Sequence, residues 1–186
     1  PVSEFLGGLL GTPFTVLPYP IRPRPLVPRG KHVLVVARLT EQKGVDRALK
    51  LADRLGRPAI VVGDGPERAR LEALAKTLHV PVHFTGATPD VPWNEAWALA
   101  LLSRTYPDGS GAEGLGLVLL EAAARGIPSL GTRCGGIPEA ATLVLDDPDH
   151  DVPGALPDAE YVQATLTARH SPERCVQTLL NALGSG

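Results

Sequence analysis

The fold is decided by residues 32–55, HVLVVARLTEQKGVDRALKLADRL, where an apolar run is followed by a loop and then by apolar residues at helical spacing. The run HVLVVA (32–37) is rich in β-branched residues and shows no polar alternation, which predicts a strand buried on both faces of a sheet. The apolar positions that follow recur three and four residues apart, which predicts a helix; they are Val45, Ala48, Leu49, Ala52 and Leu55. A strand, a loop and a helix in this order are typical of a parallel βαβ unit.

The same alternation continues along the chain. Further buried strands are predicted at residues 59–63, 82–84, 128–131 and 143–145. Helices are predicted at 67–79 and 116–125, a helical turn at 138–141, and two last helices at 158–168 and 172–183, with Ser171 as the cap of the final one. The segment WNEAWALALL (93–102) fits a helix that runs into a strand. Strands alternating with helices predict an α/β fold, in which helices sandwich a parallel sheet.

The first thirty residues differ from this pattern. The stretch PYPIRPRPLVPRG (18–30) holds five prolines. Because proline fixes φ and removes a backbone donor, an extended linker is predicted there. Before it, a short helix is predicted at 2–10 and a brief strand at Phe14–Leu17. The domain start is therefore placed near Lys31, which divides the chain into residues 1–30 and 31–186.

The composition excludes several classes of protein. Hydrophobic residues make up 44% and charged residues 20% of the chain, as in a globular domain rather than a disordered segment. The net charge of −2 and the lack of a basic block argue against nucleic acid as the main partner. No apolar run reaches about 18 residues, so no transmembrane segment is predicted. The start shows no secretory signal, and the chain holds no methionine, so it is expected to be a processed or excised piece of a cytoplasmic protein.

The side chains that most often carry chemistry show no familiar spacing. The five histidines do not lie at ligand spacing, so no metal site is predicted. Cys134 and Cys175 are expected to be reduced structural thiols. A G-x-S-x-G elbow and a Walker lysine are both missing from the sequence. No nucleophile paired with a base is evident within the chain.

The loops that follow the predicted strands are the candidate binding sites, because ligands of open parallel sheets bind outside the carboxyl ends of the strands. These loops are 38–44, 63–66, 85–92, 103–116 and 132–137. In the first of them, Arg38 and Lys43 could neutralise a diphosphate, the guanidinium by a bidentate contact and the ammonium as a point charge. The same cations could equally be solvated surface charges. The GDGP turn (63–66) is interpreted as a tight turn that needs glycine, rather than as part of a nucleotide site.

Two carboxylates flank the glycines that precede the helix predicted at 116–125. Gly114 and Gly116 let the backbone approach a ligand, and a first helical turn favours an anion, although glycines before helices are common. Glu121 lies among apolar residues, so it is expected to be buried at a cost of several kcal/mol unless donors meet it. A ribose diol, an internal salt bridge or a position at the helix edge would each account for it. Glu113 is either a negative charge that interacts favourably with the positive end of the helix dipole, or an acceptor of hydrogen bonds from sugar hydroxyls beyond a phosphate.

Taken together, these residues resemble the carboxyl-terminal domain of the retaining GT-B glycosyltransferases of family 4, the group 1 transferases. The blocks that carry the resemblance occur in the family's order over roughly residues 31–145. They are VARLTEQKG (36–44), VVGDGPE (61–67), FTGATPD (84–90), AEGLGLVLLEAAARGIPSLGT (112–132) and GGIPE (135–139). The E-x7-E signature runs from Glu113 to Glu121. The resemblance implies a Rossmann-like parallel sheet, one half of the GT-B fold, that binds the nucleotide-sugar donor.

The resemblance also implies a role for each candidate residue. Arg38 and Lys43 would hold the donor diphosphate and act in catalysis, because positive groups stabilise the leaving diphosphate. Glu113 would be the third catalytic residue. Glu113 would contact the donor sugar, Glu121 the ribose, and the loop Thr88–Asp90 the nucleobase. Backbone amides would bind phosphate at the helix start, namely those of Gly114, Leu115, Gly116 and Leu117. The substrate would be a sugar linked to GDP or UDP, with no cofactor and no metal ion.

Enzymes of this family transfer a hexose from the donor with retention of configuration (EC 2.4), in carbohydrate biosynthesis. An amino-terminal domain binds the acceptor, either a sugar or a lipid-linked molecule, and residues 1–21 resemble only its last helix, its last strand and the linker. The isolated chain is therefore expected to show little or no transfer. Peripheral association with the inner face of the membrane stays open. The alternatives are a stand-alone nucleotide-sugar-binding module and a sugar-nucleotide epimerase of GT-B shape.

The chain departs from the family pattern at three places. Tyr19 and Arg22 stand where the linker often has Asn and Asp. The loop SRTYPDGSGAEG (103–114) is longer than the usual form, and ALALLS (98–103) replaces a more β-branched strand. These departures concern the strand boundary and the sugar specificity rather than the fold.

Overall fold

The structure is a computed structural model of the chain, and it describes residues 1–106, 108 and 110–184. Its centre is a six-stranded parallel sheet with the strand order β3-β2-β1-β4-β5-β6. The strands are β1 (His32–Val36), β2 (Ala59–Val62), β3 (Val82–Gly86), β4 (Ala96–Leu101), β5 (Ser129–Thr132) and β6 (Leu143–Leu145). This is the order of a Rossmann-like fold, so the expected α/β class is confirmed.

Helices connect the strands and cover both faces of the sheet. They are α1 (Glu4–Gly8), α2 (Val45–Arg54), α3 (Arg68–Ala75), α4 (Leu117–Ala123), α5 (Ile137–Ala140), α6 (Ala159–His170) and α7 (Pro172–Gly184), with 3₁₀ turns at Glu41–Lys43 and Trp93–Glu95. The segment 93–102 therefore holds only one 3₁₀ turn before β4. Ser171 caps α7 as predicted, because its hydroxyl accepts the N–H of Arg174 at 3.2 Å. No helix among the residues described is both long and apolar enough to cross a membrane.

The core lies in two layers, one on each face of the sheet. Along β1, Val33 and Val35 pack on the side of α2 and α3, whereas Leu34 packs on the side of α4 and α5. All three side chains are almost completely buried. An uninterrupted apolar run therefore predicted a strand with two buried faces correctly.

The amino-terminal thirty residues wrap around the sheet domain. The linker is tied to α4 and α6: the N–H of Arg24 donates to the carbonyl of Ala124 at 2.7 Å, and the side-chain amide of Gln163 donates to the carbonyl of Arg24 at 2.8 Å. The strand predicted at Phe14–Leu17 is wrong, since this segment joins no sheet. Its aromatic ring instead packs on Gly7 of α1, where a Cβ would lie 2.2 Å from the Phe14 ring. The domain boundary at residues 30 and 31 stays a prediction.

Candidate functional site

The order of the strands defines where a ligand should bind. Chain connections leave β1 toward β2 on one side and reach β4 on the other, so the switch point of the sheet lies between β1 and β4. Two loops leave this point, one after each strand. The turn after β1 contains Gly44, whose φ is +62° and whose Cβ, if present, would lie 1.9 Å from the carbonyl oxygen of Leu102. Only glycine allows these two loops to pack backbone against backbone.

Lys43 and Glu113 meet at this switch point. The ammonium of Lys43 donates a hydrogen bond to Oε2 of Glu113. The hydroxyl of Ser103, at the end of β4, lies 3.5 Å from the same oxygen. Because the Lys43 and Glu113 side chains are only 23% and 16% exposed, water screens the pair weakly. Two residues predicted from separate loops are therefore in direct contact, and Ser103, which the prediction missed, belongs to the same cluster.

The glycine pair 135–136 supports the backbone of Glu113. The N–H of Gly136 donates to the carbonyl of Glu113 at 2.8 Å. A Cβ on Gly136 would lie 2.1 Å from the carbonyl oxygen of Gly114, a distance that no side chain can accept. The GGIPE block is therefore a backbone support for the loop that carries Glu113.

The start of α4 is reached through Gly116, which has a φ of +77° and is the N-cap residue. Leu115 is buried, and Leu117 is 42% exposed. Gly114 is half-buried, because residues at the start of α1 lie against it. The hydroxyl of Ser3 donates to the Gly114 carbonyl at 2.9 Å, and a methyl group of Leu6 lies 3.4 Å from where its Cβ would be. Helix α1 therefore covers one side of the loop that precedes α4.

Glu121 is exposed, so the prediction that it is buried is wrong. Its neighbours Leu119, Leu120 and Ala122 point into the core, but Glu121 lies one turn beyond the exposed Leu117 on the outer face of α4. This is the helix-edge position that the sequence left open. Glu121 lines a cleft of about 660 Å³ between α4 and the linker; its other walls include Tyr19, Arg22, Arg24, Leu117 and Arg125.

The remaining candidates lie apart from the Lys43–Glu113 pair. Arg38 is exposed in the loop after β1, and its guanidinium has no hydrogen bond or ion pair with the residues described. The hydroxyl of Thr88 accepts the N–H of Asp90 at 3.1 Å, which fixes a turn after the edge strand β3. Since β2 lies between β3 and β1, this turn and Lys43 are on separate parts of the sheet edge.

The GDGP turn has a packing role, as interpreted from the sequence. A Cβ on Gly63 would lie 1.9 Å from the carbonyl oxygen of Ala37, and a Cβ on Gly65 would lie 2.4 Å from that of Leu39. The turn after β2 thus needs glycine to pack against the loop that carries Arg38. Within the described part of the chain, no three His, Cys, Asp or Glu side chains gather as a metal site.

Sequence reasoning also missed an ion pair beside the cluster. Arg104 and Asp46 are joined by two hydrogen bonds of 2.8 and 2.7 Å. The available signal was an aspartate in the first turn of α2 that is followed by apolar residues at core positions. A carboxylate placed there needs a cation, and the long loop after β4 supplies one.

Comparison with known proteins places the chain in a family. Residues 21–143 match the sequence model of the glycosyl transferases group 1. A GDP-mannose-dependent alpha-(1-6)-phosphatidylinositol monomannoside mannosyltransferase of Mycolicibacterium smegmatis is 35% identical over 147 residues, which cover 73% of this chain and 37% of that protein. An N-acetyl-alpha-D-glucosaminyl L-malate synthase of Bacillus anthracis is 40% identical over 100 residues, 53% of this chain and 25% of that protein. The chain thus spans well under half the length of these relatives.

Solved structures show the same fold. AviGT4, a glycosyltransferase involved in avilamycin A biosynthesis, aligns with a TM-score of 0.76 and 19% identity over 100% of this chain and 63% of that chain. The apo form of the lipopolysaccharide outer core galactosyltransferase WaaB also gives a TM-score of 0.76 at 19% identity, over 99% and 60% of the two chains. Together with the family match, these likenesses show that the chain belongs to the group 1 glycosyltransferases and corresponds to their carboxyl-terminal domain.

Proposed function

We propose that this chain binds the nucleotide-diphosphate sugar of a glycosyl transfer that the whole protein catalyses with retention of configuration. The contact of Lys43 with Glu113 at the switch point of the sheet is the observation that carries this proposal. A diphosphate needs a cation, and a sugar needs acceptors for its hydroxyl groups. The pair offers one of each, side by side, where ligands of parallel α/β sheets bind.

The positive groups would act on the leaving nucleoside diphosphate. As the bond between the sugar and the diphosphate breaks, negative charge grows on the phosphate oxygens. Lys43 is held in place by its turn, and Arg38 lies five residues earlier with its guanidinium free to swing toward the same phosphates. A fixed cation such as Lys43 stabilises such a transition state because it needs little rearrangement, and Arg38 would add a second positive charge. Backbone amides of Gly114 to Leu117 would add donors to the same phosphates.

The carboxylates would hold the two sugars of the donor. Glu113 and the nearby Ser103 hydroxyl would bind hydroxyl groups of the transferred sugar. Glu121, exposed in its cleft beside α4, would accept hydrogen bonds from the ribose hydroxyls. The turn at Thr88–Asp90 would lie against the nucleobase. No metal ion or cofactor enters this proposal.

The acceptor would bind to a part of the protein outside this chain. The name of the Mycolicibacterium smegmatis relative mentions GDP-mannose and phosphatidylinositol monomannoside. GDP-mannose is accordingly the first donor to test, and a lipid-linked acceptor with the protein at the membrane surface is the corresponding acceptor proposal. The 186-residue chain alone should show little or no transfer, and robust transfer by it would contradict this part.

Ligand-induced stabilisation tests the donor site. Thermal unfolding is followed with GDP, UDP and ADP and with their sugar conjugates. A donor at about 100 times its Kd should raise the free energy of unfolding by roughly 2.7 kcal/mol. The variant Arg38→Gln should weaken this effect, whereas the charge-matched Lys50→Gln, on the exposed face of α2, should not. If no nucleotide or nucleotide sugar stabilises the folded chain, the donor site is wrong.

A further inference from the structure

Arg104 and Asp46 form the best-defined ion pair next to the candidate site. Nη1 of Arg104 donates to Oδ1 of Asp46 at 2.8 Å, and Nη2 donates to Oδ2 at 2.7 Å. The side chains are 21% and 11% exposed. Such a parallel two-point contact is the strongest form of an arginine–carboxylate pair, and lysine cannot reproduce it.

The pair belongs to a wider set of contacts between two segments, the turn 41–46 and the described residues (103–106, 108 and 110–113) of the loop after β4. The backbone N–H of Arg104 donates to the carbonyl of Gln42 at 2.7 Å, and Nη1 also donates to the carbonyl of Glu41 at 3.1 Å. Farther along the loop, the side-chain amide of Gln42 donates to the carbonyl of Gly111. Arg104 thus contacts three residues of the turn, Glu41, Gln42 and Asp46.

Both members of the candidate site lie inside these two segments. Lys43 lies between Gln42 and Asp46, the residues that Arg104 holds. Glu113 lies two residues beyond Gly111, whose carbonyl accepts the side-chain amide of Gln42. The distance between the Lys43 ammonium and the Glu113 carboxylate is therefore set by the fit of the turn against the loop. Gly44 packs against the backbone of Leu102 just before the loop, and Arg104 binds the turn from within the loop.

The electrostatics of Asp46 make this contact hard to replace. Burial raises the pKa of the Asp46 carboxyl, but the hydrogen bonds and the charge of Arg104 outweigh burial and hold the pKa below its ordinary value. The carboxylate is thus ionised in a place where water is scarce. If Arg104 is lost, Asp46 lacks its two donors, and the loop loses its only bidentate anchor among the described contacts.

We propose that Arg104, acting through Asp46, is a positioning residue that holds the Glu113 loop at the separation from Lys43 that a donor sugar requires. The proposal rests on the proposed function, because it assigns Glu113 to the sugar. It predicts an unequal effect on two ligands. The nucleoside diphosphate depends on cations outside the loop, whereas the transferred sugar depends on Glu113 within it.

Binding of two matched ligands tests the proposal. The affinities of GDP and GDP-mannose, and of UDP and UDP-glucose, are measured by calorimetry for the wild type, Arg104→Lys and Arg104→Gln. Misplacing Glu113 should weaken binding of the nucleotide sugar by about tenfold, whereas the nucleoside diphosphate alone should bind as tightly as before or more tightly, because Lys43 is released. Arg133→Gln is the matched control, since Arg133 and Arg104 line one cavity of about 420 Å³, but Arg133 pairs with Asp146 at an exposed position. Equal losses for both ligands, or no loss for either, would overturn the proposal.

A second measurement does not depend on ligand binding. A double-mutant cycle with Lys43→Met and Glu113→Gln measures the coupling of this pair from unfolding free energies. The coupling free energy should be measurable in the wild type and in the Arg133→Gln background, and it should vanish in the Arg104→Lys background. Arg104→Lys keeps the positive charge, so it serves as the test variant if Arg104→Gln does not fold. Persistent coupling in the Arg104→Lys background would contradict the positioning role. If neither ligand binds the wild type, the proposed function fails, and the cycle alone decides whether Arg104 positions the pair.

Discussion

The ammonium of Lys43 bonds to the carboxylate of Glu113 across 70 positions of sequence, and this contact joins the turn after β1 to the loop before α4. The carboxylate neutralises the cation at the switch point. A diphosphate that binds Lys43 must therefore compete with Glu113 or share the ammonium with it. This competition has a consequence that mutation can measure.

The variant Glu113→Gln should bind a nucleoside diphosphate more tightly than the wild type, because Lys43 becomes free and a repelling charge is removed. The gain should be several-fold at low ionic strength and smaller at high salt. The same variant should lose affinity for the nucleotide sugar relative to the nucleoside diphosphate. Calorimetric titrations with GDP and GDP-mannose give both values, and a weaker binding of GDP would contradict the competition.

The variant Glu121→Gln should leave the free energy of unfolding within about 0.5 kcal/mol of the wild type, because the side chain is exposed. Its affinity for GDP and UDP should fall, since a carboxylate is a better acceptor for ribose hydroxyls than an amide is. Urea unfolding and nucleotide titration check the two halves separately. Unchanged nucleotide affinity would remove Glu121 from the ribose role.

The variant Gly136→Ala should be destabilised by about 1 to 3 kcal/mol and should lose donor binding, because the new methyl group collides with the Gly114 carbonyl 2.1 Å away. Gly154→Ala is the matched control, since a Cβ there meets nothing within 4 Å. Chemical denaturation of both variants measures the difference. Equal stability of the two would mean that the support of the Glu113 loop can shift at little cost.

Glu139 should stabilise helix α1 from a distance of 135 residues along the chain. Its two carboxylate oxygens accept the N–H groups of Glu4 at 2.8 Å and Phe5 at 3.1 Å, as a capping residue does. Glu139→Gln should cost about 1 kcal/mol and expose residues after α1 to proteases. Glu160→Gln, an exposed change of the same kind in α6, should cost less. Limited proteolysis followed by mass spectrometry shows whether α1 has been released.

His170 should make stability depend on pH. Burial of the side chain is the main cause that lowers its pKa below the ordinary value of 6.5, and the charge of Arg169 adds to it. When the pH falls below about 6.5, His170 is protonated more readily in the unfolded chain than in the folded chain. The free energy of unfolding therefore falls as pH falls. Melting temperatures between pH 7.5 and 5.5 should fall more steeply for the wild type and the exposed control His83→Gln than for His170→Gln.

The sequence predicts most of this fold because the central strands are apolar without interruption. Val33, Leu34 and Val35 are buried whichever face they point to, so no knowledge of the partner strands was needed. Phe14–Leu17 has the composition of a strand but pairs with no strand among the residues described, and composition alone does not show that. The pattern of 93–102 fits a helix that runs into a strand, but its helical part is only the 3₁₀ turn Trp93–Glu95, because the start of β4 depends on its pairing with β1.

The candidate site was predictable only in part. Arg38, Lys43 and Glu113 could be assigned to one edge of the sheet because each follows or precedes a predicted strand or helix. The burial of Glu121 was misjudged because a short helix packed on one side leaves some apolar neighbours, such as Leu117, in solvent. The contacts of Arg104 with Asp46 and of Glu139 with α1 join distant segments with no periodic pattern, so only the folded chain shows them.

The pairing of β1 with β4 also sets when the site can exist during folding. The neighbours β1, β2 and β3 are connected by short βα units and can associate early. The pairing of β1 with β4, in which His32 lies opposite Ala96, closes a far longer loop of chain. Long-range parallel pairing carries a high loop-closure entropy and is slow. We therefore expect Lys43 to be placed early and Glu113 to reach it only after the rate-limiting transition state, so that a donor analogue should slow unfolding without speeding folding.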